Sequence, residues 1–383
     1  MGPESLSVFI LAGEASGDRI GASLVRALRQ RAEISLAGVG GSELAGEGMT
    51  SLFPMVDLSV MGFADVLKRL PKLYWRLHQT SRAILRSKPD LVVLIDAQVF
   101  SATLARRLRR RGYRGAMALY VAPAVWAWKP ERAAALRGVF DEILSVLPFE
   151  PEVFARLGGP STHYVGHPAL AQLPFRPAVP QTGPVLLLPG SRDGEIARTL
   201  GMMQTVAERL RSHPRVTSFI LPTPSSRQSA MVDAVRSWPV PVEVVSGEAD
   251  RKRAFGAAIA AVAVTGTVTL EMALAGVPMA TTYVADAGQV KRFFKYEVKF
   301  VSLPNIILDR PVVPEVLLAE PDPEKLLAAV LPVLDNPTVA EAQLAAFAEI
   351  RALMETGAPE APLVDPVDRL LTLVQPQRLT IGT

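Results

Sequence analysis

Cysteine is absent from the 383-residue chain. Disulfides, thiolate metal sites and a cysteine nucleophile are therefore excluded. Histidine is nearly as scarce. The four (His78, His163, His167 and His213) show no His-Glu-x-x-His or comparable spacing, so no zinc centre is expected. Aromatic residues make up 6%, and no basic stretch is interleaved with them in the manner of a nucleic-acid reader, so no nucleic-acid partner is expected. No internal repeat and no low-complexity tract occurs. No secretory leader is legible either: the apolar stretch 8–12 runs at once into Gly13, Glu14 and Asp18, as a buried strand does on entering a loop. The nearly uncharged stretch 254–285 is interrupted by Gly266, Glu271, Gly276 and Pro278, and a strand, a turn and a short buried helix fit it better than a membrane span. The expected location is cytoplasmic.

What the chain does have is apolar material for two cores: 49% hydrophobic residues over a length that suits two domains. Its net charge of +4 is modest, but arginine is locally dense at Arg106, Arg107, Arg109, Arg110, Arg111 and Arg114. Such a cluster is either a solvated helix face or an attraction for anionic headgroups or a phosphorylated substrate.

Short apolar strands alternate with amphipathic helices. Strands are expected at 7–12, 34–39, 90–95, 117–121 and 142–146, with a helix at 20–31. A run that is apolar after its first residue, such as Asp90 to Ile95, suits a parallel strand covered on both faces. Five prolines between Pro168 and Pro184 mark a linker. The alternation then restarts, with strands at 185–188, 217–221, 242–245, 260–264 and 278–283 and helices at 197–211, 324–334, 338–355 and 365–374. The fold class is α/β: two Rossmann-like, doubly wound parallel-sheet domains with a cleft between them. The expected divisions are 1–170, 171–360 and a helical tail, 361–383.

The chemically interesting loops fall at strand ends, where open parallel sheets bind ligands. The turn Gly13-Glu14-Ala15-Ser16-Gly17-Asp18 has neither the dinucleotide nor the P-loop spacing, and its acids would repel phosphate. It is either a capped strand-to-helix turn, with Ser16 or Asp18 at the helix start, or a polar loop for sugar hydroxyls. Asp96 ends the apolar strand LVVLI. A carboxylate there is costly to desolvate, and its pKa can rise toward that of a working general base; the plainer reading is a helix cap. Gly190-Ser191-Arg192 and Thr265-Gly266-Thr267 each follow a strand and open a helix, so their amides, with Arg192 beside them, suit a diphosphate; Glu271 suits ribose hydroxyls. No Asp-x-Asp pair is present to hold Mg²⁺ or Mn²⁺, so a leaving group would be stabilised by amides and arginine, with no metal and no cofactor. Residues 60–76 mix bulky apolar side chains with Lys68, Arg69, Lys72 and Arg76, as either an ordinary amphipathic helix or an interfacial segment does.

Taken together, GEASGD (13–18), LSVMGFADVLKRL (58–70), IDA (95–97), YVAPAVWAWK (120–129), LPFE (147–150), VGHP (165–168), LPGSR (188–192), TGTVTLE (265–271) and SLPN (302–305) resemble the lipid-A-disaccharide synthase family, in its order. The resemblance implies the GT-B fold and inverting transfer from UDP-2,3-diacylglucosamine to 2,3-diacylglucosamine 1-phosphate. The products it implies are a β-1,6-linked disaccharide and UDP. It also implies Asp96 as the essential aspartate, Arg192, Glu271 and Asn305 on the UDP side, and a membrane-facing ridge that includes Phe63, Val66, Leu67 and Leu70. Gly13, Glu14, Ser16, Gly17 and Asp18 would form an acceptor-side loop. The implied partners are an acylated UDP-sugar, a glycolipid acceptor and the inner membrane surface, with a homodimer also open. The chain departs from the family at Val99, where a second carboxylate is usual, at Thr265 in place of serine, and at Leu318 in place of glutamine. These departures bear on the acceptor and acyl chains more than on the fold. The rival readings are a UDP-N-acetylglucosamine 2-epimerase, which shares the fold and needs no lipid acceptor, and a divergent homologue acting on another lipid.

Overall fold

The computed structural model describes residues 5–58, 63–286, 288–290 and 298–381, with the side chains of 63–68 and 375–381 outside the description. The chain divides into two units. The first comprises Met1–Pro168 with Thr356–Thr383, and the second Ala169–Glu355.

The first unit carries six strands, β1 (Leu6–Ala12), β2 (Ile34–Val39), β3 (Leu91–Ile95), β4 (Ala116–Tyr120), β5 (Glu142–Ser145) and β6 (Ser161–Tyr164). They form one parallel sheet in the order β2-β1-β3-β4-β5-β6. β3 and β4 are buried at every position, as strands covered on both faces must be. The first helix runs over Ala15–Arg29, starting five residues before the expected 20, because the turn after β1 is tighter than its polar composition suggests.

The second unit is also doubly wound, with β7 (Gly183–Leu188), β8 (Val216–Pro222), β9 (Val242–Val245), β10 (Ala260–Val264), β11 (Met279–Val284) and β12 (Glu315–Leu318), in the order β12-β11-β10-β7-β8-β9. The apolar stretch 254–285 resolves into β10, the helix Thr267–Ala275 and β11. That helix ends at Gly276, whose φ of 71° and close approach to the Arg176 carbonyl oxygen admit only glycine. Among the described residues no helix is long and apolar enough to cross a membrane.

The C-terminal helix Pro366–Ile381 belongs to the first unit, whereas the sequence sets residues 361–383 apart. Its anchor is electrostatic. Arg369 Nε and Nη2 each donate to a Glu142 carboxylate oxygen at 2.8 Å, and Glu142 is fully buried on β5. Burial alone would raise the Glu142 pKa, but the hydrogen bonds from Arg369 and His163 outweigh it and hold the carboxyl below its ordinary value. Nothing in the local pattern of 365–374 announces a partner more than 200 residues away. The polar edge strand β6 and the four-residue β12 lie outside the strands expected from the sequence.

Candidate active site

In a doubly wound sheet the strand order reverses at one place, and the loops on either side of it diverge to leave a crevice. In the first unit that place lies between β1 and β3, whose ends are level, with Ala12 opposite Ile95. The loops that leave them are Gly13-Glu14 and Asp96-Ala97. They touch: a Cβ on Gly13 would stand 2.5 Å from the Ala97 Cβ, so glycine is required there. Gly17, one turn into the helix, packs against Ile95 for the same reason.

Asp96 and Ala97 both adopt left-handed backbone, φ 53° and 43°. Each such residue stores about 1–3 kcal/mol, and such strain gathers at working sites. The turn is held by the Asp96 amide donating to the Tyr120 carbonyl oxygen (3.0 Å) and by Ser101 Oγ donating to the Asp96 carbonyl oxygen (2.8 Å). The Asp96 carboxylate is therefore aimed by backbone, and does not cap the helix that follows, whose N-cap is Ala97 with no side-chain bond. Desolvation raises its pKa, and a hydrogen bond from the Ala97 amide offsets only part of this. Among the described residues no cation pairs with it.

The rest of the Gly13–Asp18 loop divides. Glu14 and Ser16 are exposed at the start of the helix. Asp18 is not available to a ligand, contrary to expectation. Its carboxylate is 2% exposed and accepts from the amides of Gly41 (2.8 Å), Glu43 (2.9 Å) and Leu44 (3.3 Å), at the start of the helix Ser42–Gly46. A buried carboxylate bound to three amides is a structural anion.

Beyond β4 the chain turns through Val121, at φ 72°, into the loop with Trp126 and Trp128. Trp126 Nε1 donates to Glu150 Oε1 at 3.2 Å and meets the Phe149 ring edge-on at 5.5 Å. Glu150 lies fully buried. Desolvation pushes its pKa up to about 8, against the opposing bonds from Trp126, Leu147 and Val146. The LPFE motif is thus an internal anchor for the tryptophan loop, a role invisible without the fold. Also missed from sequence are Gln98 and Arg132, which join at 3.3 Å just beyond Asp96.

In the second unit the order reverses between β7 and β10, and the loops there are Gly190-Ser191-Arg192 and Thr265-Gly266-Thr267. They differ sharply. The first is already filled: Glu195 Oε2 accepts from the amides of Ser191 (3.1 Å) and Arg192 (3.3 Å), and Oε1 from Arg192 Nη1 (2.8 Å). Gly190, at φ 102°, leaves room for that carboxylate, since a Cβ would stand 2.7 Å from Glu195 Oε2. The expectation that these amides take a diphosphate is corrected: an internal carboxylate takes them, and Arg192 presents a side chain 75% exposed. The second loop is open. Gly266 and Thr267 are exposed at the start of a nine-residue helix, with nothing within 4 Å of a Cβ on Gly266. Thr265 is tied by its amide to the Thr282 carbonyl oxygen at 3.1 Å. Glu271, on the same helix, pairs with Arg251 Nη1 at 2.9 Å.

Asn305 is a second correction. Its Nδ2 donates to the Val313 carbonyl oxygen and to Glu315 Oε1 (2.9 Å each), and its Oδ1 accepts from the amides of Val312 (2.7 Å) and Val313 (2.8 Å). With 1% exposure its amide is spent on holding residues 312–315, so it shapes the loop and does not itself reach a nucleotide.

Of the expected ridge, the side chains of Phe63, Val66 and Leu67 lie outside the described residues. Leu70, Tyr74 and Trp75 are 47%, 65% and 55% exposed on the helix Phe63–Ser87. Beside them Lys72 and Arg76 pair with the buried Asp57. Among the described residues no three His, Asp or Glu gather as a metal site.

Two parallel doubly wound sheets, each with a polar switch-point loop, define the GT-B fold, and the family to which the chain belongs makes it a glycosyltransferase. The chain belongs to the lipid-A-disaccharide synthetase family, whose model matches residues 8–362. The lipid-A-disaccharide synthase of Bradyrhizobium diazoefficiens is 39% identical, with 97% of each chain covered. Among solved structures, UGT73P12 of Glycyrrhiza uralensis complexed with glycyrrhetinic acid 3-O-monoglucuronide has a TM-score of 0.62 at 11% identity, covering 99% of this chain and 98% of that one. The UDP-GlcNAc 2-epimerase of Neisseria meningitidis bound to UDP-GlcNAc has a TM-score of 0.58 at 9% identity, covering 98% and 99%. These two share the fold alone. The family match favours the transferase over the epimerase reading.

Proposed function

We propose that the enzyme joins UDP-2,3-diacylglucosamine to 2,3-diacylglucosamine 1-phosphate, forming the β-1,6-linked lipid A disaccharide and releasing UDP. Asp96 is the general base. It takes the proton from the acceptor 6-hydroxyl as that oxygen attacks the donor anomeric carbon from the face opposite the departing UDP. The C–O bond to UDP breaks with its electron pair, and inversion follows. A base gains from a raised proton affinity, and desolvation with no cation beside it among the described residues moves Asp96 in that direction. The observation that carries this reading is the Asp96-Ala97 turn: two strained residues, clasped by Gly13, at the strand-order reversal of a family member.

UDP belongs to the second unit in this account. The open Gly266 and Thr267 amides and the exposed Arg192 guanidinium offset the diphosphate charge, and Glu271 meets the ribose. Asn305 holds the loop around them. Glu14 and Ser16, exposed polar members of their loop, are placed to meet acceptor hydroxyls. The Leu70, Tyr74 and Trp75 face brings the enzyme to the cytoplasmic surface of the inner membrane, where acylated substrates reside.

Mass spectrometry of the product from UDP-2,3-diacylglucosamine and candidate acceptors tests the reading. A disaccharide phosphate carrying all four acyl chains is expected. Transfer only to a non-phosphorylated or non-acylated sugar, or epimerised donor with no transfer, would refute it.

A further inference from the structure

The arginine run from 106 to 114 divides by its partners. Arg109 serves the fold: its Nη2 donates to Asp141 at 2.6 Å, and its Nε and Nη1 donate to the carbonyl oxygens of Val139, Tyr113 and Gly115. Arg107 reaches His78 Nδ1 at 2.9 Å and lies over the Tyr74 ring. Arg106 has no such partner. Its Nη2 reaches the Ala135 carbonyl oxygen at 3.3 Å, at the end of the helix Glu131–Ala134 that carries Arg132.

Arg132 is half-buried, and its Nη2 donates to Gln98 Oε1, two residues beyond Asp96. Its guanidinium carbon lies 5.6 Å from the centroid of the Trp128 ring, and Lys129 Nζ lies 4.8 Å from the same centroid. Lys129 is exposed, on left-handed backbone at φ 53°. Among the described residues none of Arg106, Lys129 and Arg132 has a carboxylate at ion-pair distance. Burial and the Arg106 charge both push the Arg132 pKa down, and neighbouring Glu131 offsets only part of this. Three cations converging without a counter-anion, beside the strained turn of the base, repel one another until an anion joins them.

We propose that Arg132, with Lys129 and Arg106, binds the phosphate monoester of the acceptor sugar. A monoester carries about −1.5 to −2 charge at pH 7 and three acceptor oxygens, which a guanidinium fork and an ammonium group together match. The site sits beside the Asp96 turn, as it must when phosphate and attacking hydroxyl belong to one pyranose ring. This inference rests on the acceptor proposed above and adds what recognises its phosphate.

The test uses the full-length enzyme in detergent, two acceptors that differ only in the anomeric phosphate, and UDP release as readout. Wild type should favour the phosphorylated acceptor by about ten- to a hundredfold in kcat/KM, the scale of one or two charge-assisted hydrogen bonds. Arg132→Gln should erase most of that preference through KM, with UDP affinity retained. Lys129→Gln, at an exposed position, should erase a smaller part in the same sense. Equal discrimination by Arg132→Gln and wild type would overturn the assignment, as would an equal loss toward both acceptors. Transfer by wild type to neither acceptor would instead refute the underlying acceptor reading. Sedimentation with phosphatidylglycerol vesicles separates the other source of phosphate. Arg132→Gln should sediment as wild type does, and lost sedimentation with unaltered discrimination would give the cluster to lipid headgroups.

Discussion

The first and second units each wind six parallel strands about one switch point, in different orders, yet the loops there do opposite things with charge. In the first unit a carboxylate, Asp96, stands without a cation among the described residues, and its pKa is raised by burial. In the second, the carboxylate beside the turn that follows β7, Glu195, is matched at once by Arg192 and two amides. On the function proposed above, one acid is kept reactive and the other is paired so as to aim an arginine. The fold supplies two crevices, and the pairing of each carboxylate decides whether a crevice does proton transfer or holds an anion.

The comparison breaks most severely at Gly13. Gly13→Val drives a side chain into Ala97 and displaces the Asp96 turn. Turnover should fall by about 10²-fold, the scale of a 1 Å misplacement, while UDP affinity in the second unit stays within experimental error. A valine variant with normal turnover would show that the Gly13–Ala97 contact does not position the base. Next in size is Arg192→Ala, which should weaken UDP by about tenfold or more, and uridine little, since uridine has no diphosphate. Glu195→Gln sharpens the same point. If Glu195 acts by aiming Arg192, Glu195→Gln should weaken UDP less than Arg192→Ala does and add nothing in the Arg192→Ala background. Tighter UDP binding in Glu195→Gln would mean that Glu195 competes with the diphosphate. The smallest effect on chemistry should come from Leu70, Tyr74 and Trp75. Replacing all three with Ser should release the protein from vesicles with little change in Tm or in detergent-phase turnover. Retained vesicle binding would remove the ridge from the account.

Much of this was legible in the sequence, for identifiable reasons. β3 and β10 are continuous apolar runs ended by Asp96 and Thr265, so strand, loop and crevice follow from pattern alone. Partners that lie far apart in the chain were not legible. Asp18 reads as a loop acid until Gly41, Glu43 and Leu44 are seen to donate to it. Asn305 reads as a ligand contact until residues 312–315 close over it. Glu195 is an ordinary first-turn glutamate until its carboxylate is found on the Ser191 and Arg192 amides. In each case a polar side chain that looked available was already satisfied by backbone, and hydrogen-bond accounting needs coordinates. Residues 365–374 show the same limit in packing: their helical pattern is plain, their anchor at Glu142 is not.

The central claim, that Asp96 is the unpaired base, is tested most directly by Asp96→Asn, with turnover, UDP affinity and Tm measured together. Asparagine keeps the shape and the tolerance of left-handed backbone but has no basicity. Turnover should drop by about 10²-fold or more, and UDP affinity should hold. The wild-type rate should decline on the acid side at a pH above the ordinary carboxylate range, because the base is lost as pH falls through a raised pKa. That same raised value means the folded state resists ionising Asp96, so its contribution to stability is lost as pH rises through the folded pKa. Asp96→Asn should therefore melt no lower than wild type at pH 7. Near wild-type turnover in Asp96→Asn would contradict the account, and Glu14 would be the next candidate for the base.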